Sequence, residues 1–103
     1  MKIRTVSDDD FDATVTSATG AVLVDFSATW CAPCRSLEPQ LERLAEERPD
    51  VPIVKVDIEQ APRAAVAYGV RGVPTLILFR DGAPTARRVG FQPVAALRAL
   101  VDG

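Results

Sequence analysis

Phe26-Ser27-Ala28-Thr29-Trp30-Cys31-Ala32-Pro33-Cys34-Arg35 is where a strand pattern gives way to a helix pattern, and it carries both cysteines of the chain. A thiolate is the attacking species in thiol chemistry, so what matters at such a place is whether the anion is stabilised. A helix N-terminus offers unpaired N–H groups and a partial positive charge. Cys31 falls at that end, with Pro33 in the first turn, where a missing N–H costs nothing. Cys34 follows three residues on, within reach of Cys31 around the turn. The spacing reads as a redox pair, in which one cysteine attacks a foreign disulfide and the other resolves the mixed disulfide. Half of a zinc site and a purely structural bridge are the competing readings. Zinc needs three or four protein ligands, and the chain has no histidine and no third cysteine. A bridge closing so small a loop restrains little of the unfolded chain.

Upstream, Ala21-Val22-Leu23-Val24-Asp25-Phe26 is almost unbroken apolar sequence, as in a central strand covered on both faces. Asp25 is the exception. A carboxylate there is costly unless paired, and burial raises its pKa by disfavouring the charged form. Before this run, residues 2–6 alternate weakly as a short edge strand. Ser7-Asp8-Asp9-Asp10 then supplies an N-cap and an acidic first turn to a helix carrying Phe11 and Val15 and ending near Gly20.

Downstream of the cysteines, Leu37, Leu41, Leu44 and Ala45 recur at helical spacing, with Glu38, Glu42, Glu46 and Glu47 at more polar positions. Pro39 interrupts the hydrogen bonding of that helix, and a kink is expected. Val51–Asp57 reads as a strand, and Ala61–Tyr68 as a short helix begun by Pro62 and stopped by Gly69. Thr75–Phe79 is a second fully apolar strand. Asp81-Gly82 is a hairpin signal leading to a strand near Thr85–Phe91. Pro93 opens a last helix with Val94, Leu97 and Val101 on one face. The order β-α-β-α-β-α-β-β-α predicts an α/β fold: a mixed sheet of about five strands flanked by about four helices. The cysteines fall at the C-terminal end of a central strand, where open α/β sheets place their sites.

The 103 residues predict one domain spanning 1–103. A net charge of −2 supplies no basic field for nucleic acid or an anionic membrane. The start, Met1-Lys2-Ile3-Arg4-Thr5, lacks the apolar run of a leader, and no stretch is long and apolar enough to span a bilayer. With only two cysteines, a reducing, cytoplasmic location is expected. The small size predicts a monomer.

Taken together, these motifs resemble the thioredoxin family over nearly the whole chain. The resemblance rests on Val22-Leu23-Val24-Asp25-Phe26, Trp30-Cys31-Ala32-Pro33-Cys34 and Pro39. It continues through Lys55-Val56-Asp57, Tyr68-Gly69-Val70, Gly72-Val73-Pro74-Thr75, Asp81-Gly82 and Val89-Gly90. It implies the thioredoxin fold and reduction of protein disulfides, with no bound cofactor beyond a redox-active Cys31–Cys34 disulfide. The implied partners are disulfide-containing client proteins and a separate NADPH-dependent thioredoxin reductase.

Residue by residue, the resemblance makes Cys31 the exposed nucleophile and Cys34 the buried resolving thiol. Asp25 becomes the buried carboxylate that exchanges protons with the resolving cysteine, and Lys55 a lysine that modulates it. Pro74 is implied to follow a cis peptide bond that brings the Val73 backbone beside the disulfide. Trp30, Ala32, Pro33, Val73, Pro74, Val89 and Gly90 would then form the substrate-docking surface, where an extended segment pairs as an added strand. Two positions depart from the family pattern. Ala32 stands where glycine is commonest, which bears on redox poise, and Ser27 stands where tryptophan is frequent. A disulfide oxidant or isomerase, or a binding module on the same fold, are the alternative functions.

Overall fold

A paired strand on each side is what the apolar run 21–27 needs, and it is what that run receives. The structure, a computed structural model, describes residues 3–103. Its elements are β1 (Arg4–Thr5), α1 (Asp8–Phe11) continuing into a π-helical turn (Asp12–Thr16), β2 (Ala21–Ser27), α2 (Ala32–Glu47) and β3 (Ile53–Asp57). They are followed by α3 (Pro62–Ala67), β4 (Thr75–Arg80), β5 (Ala83–Val89) and α4 (Val94–Asp102). The sheet order is β1-β3-β2-β4-β5, so β2 has a parallel neighbour in β3 and an antiparallel one in β4. This is the expected mixed α/β sheet.

Strand alternation divides the core into two layers. Val22, Val24 and Phe26 join Val54, Val56, Ile77 and Phe79 under Phe11, Val15 and the alanines of α3. Leu23, Ile53, Leu76 and Leu78 join Leu37, Leu41, Leu44 and the apolar face of α4. Asp25 is two residues beyond Leu23 and Lys55 two beyond Ile53, so both fall on the side of the sheet covered by α2. Asp25 and Lys55 are register partners across β2 and β3.

Several boundaries differ from the sequence expectation, β3 starting at Ile53 rather than Val51 among them. The first helix stops at Thr16, short of Gly20, because the Ser17 amide donates to the Asp12 carbonyl (2.8 Å) and widens the last turn. Residues 17–20 then bring the chain to the hairpin, where the Gly20 amide donates to Asp81 Oδ1 (2.8 Å) and the Asp81 amide to the Gly20 carbonyl (3.0 Å). β5 begins at Ala83 rather than Thr85, since Asp81 (φ 51°) and Gly82 (φ 83°) form a tight two-residue turn that lets pairing start at once. A Cβ on Gly82 would also collide with the Thr16 carbonyl. At its other end β5 stops at Val89, because Gly90 (φ 92°) turns the chain and donates its amide to the Pro74 carbonyl (2.8 Å). β1 covers Arg4–Thr5 of the expected 2–6 strand, and Lys2 lies outside the described residues.

Ser7 caps α1 as its sequence predicts, accepting from the Asp10 amide. Asp8, in the same acidic turn, also ties α1 to α3. Its carboxylate accepts the Ala64 (2.9 Å) and Arg63 (3.1 Å) amides at the start of α3. Desolvation pushes the Asp8 pKa up, but these amides and the Arg63 guanidinium outweigh it and hold the carboxyl below its ordinary value. Asp8→Ala is therefore expected to lower the urea midpoint at pH 7. A depressed carboxyl stabilises the fold above its unfolded pKa and loses that effect as pH falls, so the gap to the parent should narrow in acid. An undiminished gap in acid would count against the charge-assisted cap.

Candidate active site

The end of β2 and the start of α2 meet at a disulfide between Cys31 and Cys34, with Cα atoms 5.2 Å apart. Cys31 is the N-cap of α2, and its sulfur accepts the Cys34 amide at 3.2 Å. An N–H left over by helix geometry thus points at the atom on which negative charge would develop. Pro33 occupies the first turn, and the helix continues through Pro39. Arg35 is tied back by its guanidinium to the Thr29 carbonyl (2.9 Å).

The Val73–Pro74 peptide bond is cis. The Val73 carbonyl oxygen lies 3.7 Å from Cys31 Sγ, and the loop is braced by Thr75 Oγ1 donating to the Gly72 carbonyl (2.6 Å). Val89 is the register partner of Thr75, which sets Val89 and Gly90 beside this loop. Trp30 and Val89 are exposed apolar side chains, as is Phe91, which no sequence motif singles out. Ala32 and Pro33 are exposed, Val73 and Gly90 are partly covered, and Pro74 is buried.

One expectation is corrected. The resemblance implies an exposed Cys31 and a buried Cys34, but in the disulfide form they are 4% and 2% exposed. The cause is packing: Ala28 from the same loop, and Ile58 and Val73 from distant parts of the chain, pack against the two cysteines. Exposure does not separate the two. What separates them is direction, since Cys31 faces the Val73 carbonyl and Cys34 faces a groove on another flank.

That groove, about 260 Å³, is lined by Ser27, Ala28, Thr29, Cys34, Arg35, Glu38, Lys55 and Asp57. Asp25 lies behind it, 0% exposed, and neither carboxylate oxygen has a hydrogen-bond partner. Burial pushes its pKa up, Lys55 pulls it partly back and Glu38 raises it, leaving it at about 7. Lys55 does not bind Asp25; its ammonium pairs with Glu38 Oε1 at 2.7 Å. From sequence alone Glu38 reads only as a polar helix position. Its spacing, one turn after Cys34, is the signal that points to the site.

Cys31, Cys34 and Val73 are thus in contact, and Asp25 and Lys55 sit side by side under α2. Among the described residues, no group of three or more His, Cys, Asp or Glu is placed to hold a metal ion. No described helix is long and apolar enough to cross a membrane.

The same arrangement has relatives. The thioredoxin family model matches residues 2–103. Thioredoxin of Chlamydia muridarum is 48% identical over 100 residues, covering 97% of this chain and 96% of that protein. Thioredoxin of Staphylococcus aureus is 46% identical over 103 residues, covering 99% and 97%. Among solved structures, a mutant thioredoxin from Halobacterium salinarum NRC-1 superposes with a TM-score of 0.89 at 44% identity, covering 98% of this chain and 88% of that one. A likeness that runs from end to end, and includes a C-x-x-C disulfide capping a helix, leaves one conclusion: this chain belongs to the thioredoxin family of protein-disulfide oxidoreductases.

Proposed function

We propose that this thiol–disulfide carrier works as a protein-disulfide reductase, one domain acting as a cytoplasmic monomer. The Cys31 thiolate attacks one sulfur of a client disulfide, forming a mixed disulfide and expelling the other client sulfur as a thiolate. Cys34 loses its proton to Asp25 and attacks Cys31 Sγ. The second client sulfur leaves as a thiolate, and the Cys31–Cys34 bond closes. Two electrons pass to the client, whose thiolates take protons from Asp25 and solvent. A separate NADPH-dependent thioredoxin reductase returns two electrons to the disulfide. Trp30, Ala32, Pro33, Val73, Val89 and Gly90 form the face on which the client lies, its extended backbone pairing with Val73, while Pro74, expected from sequence to share that face, is buried and shapes the loop from beneath. Lys55 modulates Asp25.

The direction of transfer rests on one observation. Cys31 Sγ receives a single backbone N–H from the helix end, and the intervening Ala32-Pro33 carries no charge. Strong oxidants of this chemistry owe their potential to a heavily stabilised reduced form. One backbone donor and an uncharged dipeptide are less than such an oxidant calls for, which supports a reductant.

The test is the reduction potential of the Cys31–Cys34 pair in a dithiothreitol redox buffer. Trp30 is the sole tryptophan and adjoins Cys31, so its fluorescence reports the state. A value near or below about −250 mV is expected; one above about −180 mV would overturn the direction in favour of an oxidant or isomerase. Absence of a reversible transition would reduce the chain to a binding module.

A further inference from the structure

The Asp25 carboxyl has a potential ion-pair partner beside it and does not use it. Asp25 and Lys55 are register partners on neighbouring parallel strands, on the face covered by α2. Strand spacing is about 4.8 Å, well within the reach of a lysine side chain. Yet both Asp25 oxygens are without partners, while the Lys55 ammonium lies 2.7 Å from Glu38 Oε1. Glu38 projects from α2 one turn after Cys34, and both residues line the groove in front of Asp25.

We propose that Glu38 is a positioning residue for Asp25: by holding the Lys55 ammonium in an ion pair, it leaves the Asp25 carboxyl without a bound cation and free to take the Cys34 proton. This rests on the proton-exchange role given to Asp25 above.

The charged groups around this carboxyl are few. β3 supplies Lys55 and Asp57, α2 supplies Glu38 and Arg35, and β4 places Leu76 opposite Asp25. Arg35 is engaged by the Thr29 carbonyl, and Asp57 Oδ1 accepts the Glu59 amide (2.9 Å). Lys55 is therefore the one cation of the groove whose placement depends on Glu38. An acid bound directly to an ammonium ionises too readily to hold a proton at neutral pH, and loses its power as a base. The directions already found at Asp25 agree, with Lys55 lowering its pKa and Glu38 raising it. A partly exposed ion pair adds little to stability, so the fold should survive its loss.

The experiment is a carboxyl NMR titration of Asp25 in the oxidised protein, comparing the parent with Glu38→Gln, Glu38→Asp and Lys55→Gln. The Glu38→Gln/Lys55→Gln double variant completes the cycle. Glu38→Gln should lower the Asp25 midpoint by about one unit, as Lys55 turns toward it. Glu38→Asp should restore part of that shift, and in the Lys55→Gln background the effect of Glu38→Gln should shrink to less than half. An unmoved midpoint in Glu38→Gln would overturn the proposal, and so would an equal shift in both backgrounds, because Glu38 would then not act through Lys55. The pH profile of mixed-disulfide resolution tests the underlying reading separately. If the midpoint moves and the profile does not follow, the proton role of Asp25 fails while the hold of Glu38 on Lys55 stands.

Discussion

Cys34→Ser is expected to abolish turnover of disulfide clients while leaving the first attack intact, so that the variant accumulates as a covalent adduct through Cys31. The second step owes its speed to placement. A well-positioned internal group can reach an effective molarity of about 10⁵ M, about 10⁸ times a millimolar external thiol, so resolution by external thiol alone should be slower by several orders of magnitude. The 5.2 Å between the Cα atoms and the amide of Cys34 on Cys31 Sγ are the geometry that the serine variant preserves. It removes only the second sulfur. Non-reducing electrophoresis with mass spectrometry of the linked peptides reads the result. Cys31→Ser, by contrast, should give no adduct. Rapid, clean turnover by Cys34→Ser would refute the division of labour between the two cysteines.

Asp25→Asn should stabilise the oxidised protein at pH 8 and leave it almost unchanged at pH 4. The folded carboxyl titrates at about 7, against an ordinary value of 3.8, chiefly because burial disfavours its charge. Below about pH 4 both folded and unfolded chains hold the proton, and the group is neutral in each. Between about pH 4 and 7 the unfolded chain ionises while the folded one retains its proton, so stability falls as pH rises. Above about pH 7 the loss is complete, at about 4 kcal/mol. An asparagine carries much the same unpaired polarity as a protonated aspartic acid, which is why the two should match in acid. Urea unfolding at the two pH values checks this. A gain of equal size at both would mean that ionisation of Asp25 is not its source.

The order of elements is legible in the sequence because period-2 and period-3.6 patterns change where the strands and helices change. The β2–α2 junction is legible for a second reason, since Pro33 and the spacing of Leu37, Leu41 and Leu44 both mark the helix start. The end of the first helix is hidden, because Phe11 and Val15 keep helical spacing into a π turn, which alters the hydrogen bonds without altering the apolar pattern. The early start of β5 depends on backbone angles at Asp81 and Gly82, to which a dipeptide signal points without setting the strand limits.

At the site, the chemistry is legible from local sequence and the environment is not. Two cysteines, a helix start and a stray aspartate are local facts. The covering of Cys31 comes from Val73, 42 positions away. The isolation of Asp25 comes from a lysine on a neighbouring strand that is held by a glutamate on a helix. Both are properties of the packed chain.

The groove in front of Asp25 shares no lining residue with the proposed client face of Trp30, Val73, Val89 and Gly90. With the roles proposed for Cys31 and Asp25, electrons and protons have separate doorways. A client seated along Val73 would cover Cys31 without covering the mouth of that groove. With the proton role proposed for Asp25, the lifetime of the mixed complex is expected to follow the pH of the surroundings more than the bulk of the client.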